Sequence, residues 1–281
     1  MIRALDDRVV AITGAGSGIG RALAIECARR GAHVALSDVD ADGLDVTAAT
    51  AREHSIVRVT TTIVDVTDSD AVAAWAQQTN SGFGRVNAII NNAGIALGAD
   101  VVEMKLTDFR QVMDINFWGV VNGTTSFLPL LEASGEGHVV NISSVFGLLG
   151  IPSQAAYNSS KFAVRGYTEA LRTELDIADS CVSATTIHPG GIRTDIARNA
   201  ISFPDEIDPE EAATQFEQLA RTTPDQAARW ILGAMLKNKR RALIGPDAHV
   251  FDVAARVSPR GAQWLIGRLA GRARENNVAI V

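Results

Sequence analysis

The sequence predicts a doubly wound α/β fold, one parallel sheet with helices on both faces, and three observations carry that expectation. Short β-branched runs alternate with longer helical stretches along most of the chain, and strands separated by helices need crossover connections, which make a sheet parallel. The runs are apolar throughout rather than alternating, as strands covered on both faces require. The first run leads directly into a glycine-rich turn and a helix, the arrangement in which α/β sheets bind ligands beyond the carboxyl ends of their strands.

The elements follow in order. Arg8–Thr13 (RVVAIT) is the first strand, and a helix follows through Arg30. Ala32–Ser37 is the second strand, and Ile56–Val64 the third after a helical stretch. Val86–Asn91 is the fourth, followed by a helix around Phe109–Leu131. His138–Ile142 is the fifth, and Ala155–Ala178 reads as a long helix. Val182–Ile187 and Arg241–Ile244 complete the sheet. Residues 1–245 therefore read as one domain. Residues 193–223 and the extension 246–281 fall outside the alternation, the latter expected to pack on the same domain or on a neighbouring subunit.

Composition narrows the function classes. The chain has 281 residues, 47% hydrophobic and 21% charged, which is ordinary for a globular protein. A net charge of −6 argues against a nucleic-acid partner, whose binding surface would be basic. Lys237, Lys239, Arg240 and Arg241 form one short basic cluster, expected as a solvated helix end. Cys27 and Cys181 are far apart and read as buried thiols; a metal site or disulfide framework needs more Cys or His nearby. Arg3, Asp6, Asp7 and Arg8 interrupt any secretory leader, and no run of about 18 apolar residues exists. A reducing, cytoplasmic setting is the expectation.

The turn Thr13–Gly20 (TGAGSGIG) is the first candidate site. Glycine lets backbone turn sharply and approach a pyrophosphate, and the following helix N-terminus offers free N–H groups to the phosphate. Gly14, Ser17, Gly18, Ile19 and Gly20 are the candidate contacts, spaced G-x-x-x-G-x-G. Asp38 closes the second strand where a Rossmann-type fold places the carboxylate that binds the adenosine ribose hydroxyls. It would repel a 2′-phosphate, and Val39 and Asp40 supply no cation, so NAD is favoured over NADP. Arg21, close to the phosphates, is the residue that could soften this preference.

Tyr157 and Lys161, four apart on a helix, share one face. Tyrosine titrates near 10, too high for a base at neutral pH, and a nearby ammonium lowers that value. Thr13–Gly20, Asn91-Asn92-Ala93-Gly94, Ser143-Ser144, Tyr157-x-x-x-Lys161 and Pro189-Gly190 occur in this order near strand ends or helix starts. Together, over roughly residues 6 to 245, they resemble the classical short-chain dehydrogenase/reductase family. The resemblance implies hydride transfer between NAD(H) and an alcohol or carbonyl carbon. It implies that Ser144, thirteen residues before the tyrosine, binds the reacting oxygen, that Tyr157 moves the proton, and that Lys161 holds the nicotinamide ribose. Asn116 matches the asparagine whose backbone holds a relay water. Asp65 and Val66 match the adenine bracket, and Asn92, Ala93 and Gly94 the contacts to the adenosine ribose. Pro189, Gly190, Ile192 and Thr194 match the loop on the nicotinamide carboxamide. The family also implies a homodimer or homotetramer paired through the helices around Phe109–Leu131 and Ala155–Ala178, and a substrate lid over 193–223. His188, alone beside a strand end, reads as structural, and no metal is implied.

Two other functions fit less well. An epimerase or dehydratase of the related extended type would want a different glycine spacing and a large substrate domain. A silent NAD-binding sensor would have lost a catalytic residue, and every expected one is present. The substrate is expected to be a hydrophobic alcohol or ketone of moderate to large size, such as a secondary alcohol, a steroid or a long-chain ketone. Val145, Phe146, Leu148, Leu149, Ile151 and Pro152 flank the serine and tyrosine without charge, and the lid adds Ile201, Phe203 and Phe216. Arg193 and Arg198 are the only nearby cations. In the extension, Trp264, Leu265 and Leu269 alternate with arginines, which leaves open a helix touching a membrane.

Overall fold

The computed structural model describes residues 2–53, 56–201 and 209–275. Seven strands form one all-parallel sheet: β1 (Val9–Thr13), β2 (His33–Asp38), β3 (Val59–Ile63), β4 (Ala88–Asn91), β5 (Gly137–Ile142), β6 (Val182–Pro189) and β7 (Arg241–Ile244). Their spatial order is β3-β2-β1-β4-β5-β6-β7. The winding reverses between β1 and β4, where Val10, Ala11 and Ile12 pair with Ala88, Ile89 and Ile90. Each predicted strand is present within a few residues of its expected ends.

The strand faces explain the two layers. Val10, Ile12, Val34, Leu36, Ile90 and Val140 face the layer of α1 (Gly18–Arg29), α2 (Ala41–Glu53) and α8 (Pro224–Leu236). Their neighbours Ala11, Ala35, Ile89 and Val139 face the layer of α3 (Ser69–Phe83), α5 (Gly119–Ala133) and α6 (Ala155–Ile177). Trp75 and Phe127 meet edge to face at 4.9 Å in that second layer, a favoured aromatic geometry. The exception is β3, an edge strand whose Thr60, Thr61 and Ile63 are exposed. Burial on both faces therefore fails at this margin, where threonine satisfies β-propensity without a covering helix.

Other departures are local. The helix expected over Phe109–Leu131 is three pieces: α4 (Leu106–Met113), a π-helical turn at Asp114–Trp118, and α5. Cys27 is buried, but Cys181 is only half-buried, just ahead of β6. The basic cluster is not merely a solvated helix end. Lys237 caps α8, while Arg240 pairs with Asp176 and Arg241 with the largely buried Asp252, at 3.0 Å. Helix α7 spans Pro209–Leu219, and the extension forms α9 (Pro246–Val257) and α10 (Pro259–Glu275). Phe203 lies outside the described residues. No helix among those described is long and apolar enough to cross a membrane.

Candidate functional site

Parallel strands put every carboxyl end on one edge of the sheet, and the predicted residues gather there. The glycine turn fits a pyrophosphate. Gly14 and Gly18 have φ of +63° and +51°, and a Cβ on Gly20 would lie 2.0 Å from the Gly14 carbonyl. Ser17 caps α1 without using its side chain, so the helix N-terminus carries no side-chain acceptor of its own at the crevice. Asp38 lies beside this turn. Its carboxylate accepts the Gly16 N–H at 2.7 Å and the Asp40 N–H at 3.1 Å, which leaves further lone pairs for a ribose diol. Arg21 donates to the Gly16 carbonyl and, at 3.0 Å, to Thr47 Oγ1, so it braces the turn.

The turn is fastened across the sheet. Thr13 Oγ1 accepts the N–H groups of Asn92 (3.0 Å) and Ala93 (3.1 Å), and Asn92 Nδ2 donates to the carbonyls of Thr13 and Gly14. A Cβ on Gly94 would stand 3.1 Å from Asn116 Oδ1 and 3.4 Å from Lys161 Nζ, so this loop, the π-helical turn and α6 converge on one point. Asn116 is fully buried and bonds both backbone groups of Ile95 and the Ser160 hydroxyl. Its position inside a π-helical turn is of the kind found at functional sites. Asp65 accepts from Thr67, and the Val66 carbonyl is held by Asn122 at 2.9 Å. Thr194 packs against Gly18, and Ile192 is buried behind it.

The two serines after β5 divide their tasks. Ser143 donates to the Lys161 carbonyl at 2.8 Å and so fixes α6 to the strand end. Ser144 accepts the Phe146 N–H at 3.1 Å, and its hydroxyl faces Tyr157, where it favours the phenolate. Lys161 Nζ donates to the Ile142 carbonyl at 3.0 Å and stands 5.5 Å from the centre of the Tyr157 ring. Burial pushes the Tyr157 hydroxyl up to about 12, with Ser144 acting in the opposite sense. Burial also lowers Lys161 to about 8. Desolvation of the phenolate sets the direction of the shift, and Ser144, not the lysine, is the group that opposes it. Phe146 packs edge-on to Tyr157 at 5.9 Å, and Val145 and Ile151 are buried alongside.

Three further residues support the site: Asn158 and Asp247, which sequence reasoning passed over, and His188, which it read as structural. Asn158 holds the loop over the site, accepting from the Ile151 N–H and donating to the carbonyls of Phe146 and Leu149. His188 is fully buried and pairs with the Ser144 carbonyl at 2.9 Å; burial lowers it to about 4, so it is a neutral strut. Asp247, in the first turn of α9, accepts the Gly191 N–H at 2.6 Å. A Cβ on Gly190 would be 2.1 Å from its carboxylate, and one on Gly245 2.6 Å. The extension therefore packs beneath the Pro189–Thr194 loop and, through Gln263, against Gly150. Arg193 is taken by the Ala220 carbonyl, and Arg198 by Glu210 and Glu217. Among the described residues no His, Cys, Asp or Glu group could hold a metal ion.

A family model described as short chain dehydrogenase matches residues 8–204. SadH of Mycobacterium tuberculosis, whose name marks its oxidoreductase activity as provisional, is 45% identical over 262 residues, 93% of this chain and 94% of its own. Levodione reductase of Leifsonia aquatica is 36% identical over 215 residues, 76% of this chain and 80% of its own. A short-chain dehydrogenase/reductase of Burkholderia phymatum, solved in complex with NAD, superposes with a TM-score of 0.80 at 29% identity, covering 100% of this chain and 98% of that one.

The Asp247 contact generates a test. Asp247→Ala leaves the Gly191 N–H without its acceptor, a loss on the order of 1–3 kcal/mol. The dissociation constant for the dinucleotide is expected to rise about tenfold, while Asp247→Asn, which keeps an acceptor oxygen, retains most of the affinity. Cofactor titration by fluorescence checks this, and equal affinity in wild type and Asp247→Ala would refute it.

Proposed function

The chain belongs to the short-chain dehydrogenase/reductase family and is an oxidoreductase of that family; from this premise we propose that it is an NAD-dependent alcohol dehydrogenase or carbonyl reductase acting on a hydrophobic substrate. The observation that carries the proposal is the meeting of Ser144, Tyr157 and Lys161 on the edge where all seven strands end, with Lys161 Nζ 5.5 Å from the centre of the tyrosine ring. A nicotinamide cofactor held by these residues would supply the hydride chemistry. The rest is done by the chain. In reduction the Ser144 hydroxyl donates to the substrate oxygen, where negative charge develops, and Tyr157 gives that oxygen its proton. In oxidation Tyr157 takes the proton back. Lys161 holds the ribose beside Tyr157, and its charge favours the phenolate.

NAD is proposed over NADP because Asp38 presents a carboxylate at the ribose position, while Arg21 is engaged by the Gly16 carbonyl of the turn and by Thr47 of α2. The pocket is proposed to be apolar. Val145, Phe146 and Ile151 line its approach, and the two cations that could have received a substrate carboxylate, Arg193 and Arg198, are taken by the lid. Trp118 and Phe162, 52% and 42% exposed, support a homo-oligomer paired through α4–α5 and α6, as a dimer or tetramer.

Four outcomes test the reading. Tyr157→Phe keeps the ring and loses the transferable proton, so turnover should fall at least about 10²-fold with NAD affinity unchanged. The pH profile has a stated sign. A hydroxyl raised to about 12 is a phenol at neutral pH, so reduction should be flat through neutrality while oxidation climbs as the phenolate forms; an oxidation rate independent of pH from about 6 to 10 would contradict it. For the cofactor, kcat/KM should favour NAD in wild type, and Asp38→Ala should narrow that preference; equal use of NADP by the wild type would refute it. For the substrate, a lipophilic secondary alcohol should exceed a short hydroxy acid by at least about tenfold in kcat/KM.

A further inference from the structure

The extension turns two different faces inward and outward. Its acids point in: Asp247 bonds Gly191, and Asp252 pairs with Arg241 and Arg256. From residue 253 to 274 the sequence holds five arginines and no acid, within a chain of net charge −6. On α9, Val250, Val253 and Val257 are 69%, 58% and 80% exposed, at spacings that place them on one helix face. On α10, Trp264, Leu265 and Leu269 are 62%, 51% and 54% exposed. Arg268 lies over the Trp264 ring at 5.1 Å, and Arg260 and Arg272 are exposed on the same helix. One edge of α10 is seated: Ala270 is buried, and Gly267 and Gly271 line a cleft with Val101, Val102 and Pro152. Val101 and Val102 are themselves 74% and 91% exposed, so the apolar surface continues to the loop beside the active site.

We propose that the outer face of α9–α10 docks on an anionic lipid bilayer. Large apolar side chains interleaved with arginine are what an interfacial helix uses, burying the apolar groups at the headgroup boundary and pairing the cations with lipid phosphates. A two-fold contact with a second copy would set the same arginines against one another, which like charge opposes. The position of the face beside Pro152 and Val101 puts the mouth of the site against the membrane, from which a lipophilic substrate can enter. That last consequence rests on the proposed function; the docking itself does not.

Co-sedimentation with vesicles reads the proposal without turnover. The full chain should pellet with phosphatidylcholine vesicles containing phosphatidylglycerol and not with phosphatidylcholine alone, and salt should release it. Trp264→Glu with Leu269→Glu, and separately Arg260→Glu with Arg268→Glu, should each weaken binding at least about tenfold while circular dichroism stays that of wild type. Because both pairs are surface changes of opposite chemistry, misfolding of one leaves the other decisive. No lipid-dependent pelleting by wild type, equal pelleting with neutral vesicles, or wild-type binding by both variants would overturn the proposal. So would light scattering in which the apolar variant loses subunits but keeps vesicle binding, since that assigns the face to a second copy. Failure here with intact NAD-dependent turnover separates this proposal from the enzymatic one.

Discussion

Four hydrogen bonds between Thr13–Gly14 and the Asn92–Ala93 segment hold the site together. They cross the point where the sheet reverses its winding, between β1 and β4, where adjacent loops leave in opposite directions and a crevice opens. Thr13 Oγ1 receives two N–H groups from the β4 loop, and Asn92 Nδ2 returns two bonds to the carbonyls of the glycine turn. Each partner satisfies backbone groups that the end of a strand would leave unpaired. The close approach excludes any side chain at Gly14 or Gly20, so the glycines are fixed by the protein's own packing before any ligand is considered. The nucleotide end and the reacting end of the crevice then share one rigid reference.

A second polar chain lies just beneath. Asn91 donates to Asn141 and Thr124, and Asn141 donates to Thr168. These side chains tie β4 and β5 to α5 and α6 inside an otherwise apolar layer. Buried polar groups are tolerated when bonded, and here the bonds fix the helix that carries Tyr157 and Lys161. Ser143 and His188 serve the same end from the other side. The chemistry is thereby surrounded by neutral struts, and its only buried cation is Lys161. Burial drives the tyrosine and the lysine apart in titration, one up to about 12 and the other down to about 8. Both shifts favour the uncharged forms, so charge in the site is costly until substrate and cofactor provide it with partners.

Much of this was readable from local chemistry. Strand identity follows from β-branched runs such as Val9–Thr13 and Val182–Ile187, and the glycine spacing marks the turn. The Tyr157–Lys161 spacing marks one helix face. What stayed hidden depends on tertiary position. Nothing adjacent to Asn158 or Asp247 in sequence distinguishes either from an ordinary surface polar residue, and each gains its role from a backbone group far away or across a turn. The π-helical turn at Asp114–Trp118 has no helix-breaking residue to announce it. The exposure of β3 follows from its place at the sheet edge, which a run of threonines signals only once the strand order is known. The direction of the Tyr157 shift depends on the degree of burial, which spacing does not contain.

The extension joins these levels. Gly245, at a φ of +101°, and Pro246 start α9 at a sharp corner just after β7, and that corner brings Asp247 beneath Gly191 within two residues. The inward carboxylate completes the hydrogen bonding of the Pro189–Thr194 loop, which a glycine pair leaves with little side-chain packing of its own. The same helix then runs outward and presents Val250, Val253 and Val257 to the surface. An acidic inner face and an arginine-bearing outer face on one hairpin follow from these two demands. The inner side must supply acceptors to unpaired N–H groups and arginines of the body. The outer side, free of that duty, carries the charge opposite to that of the chain as a whole.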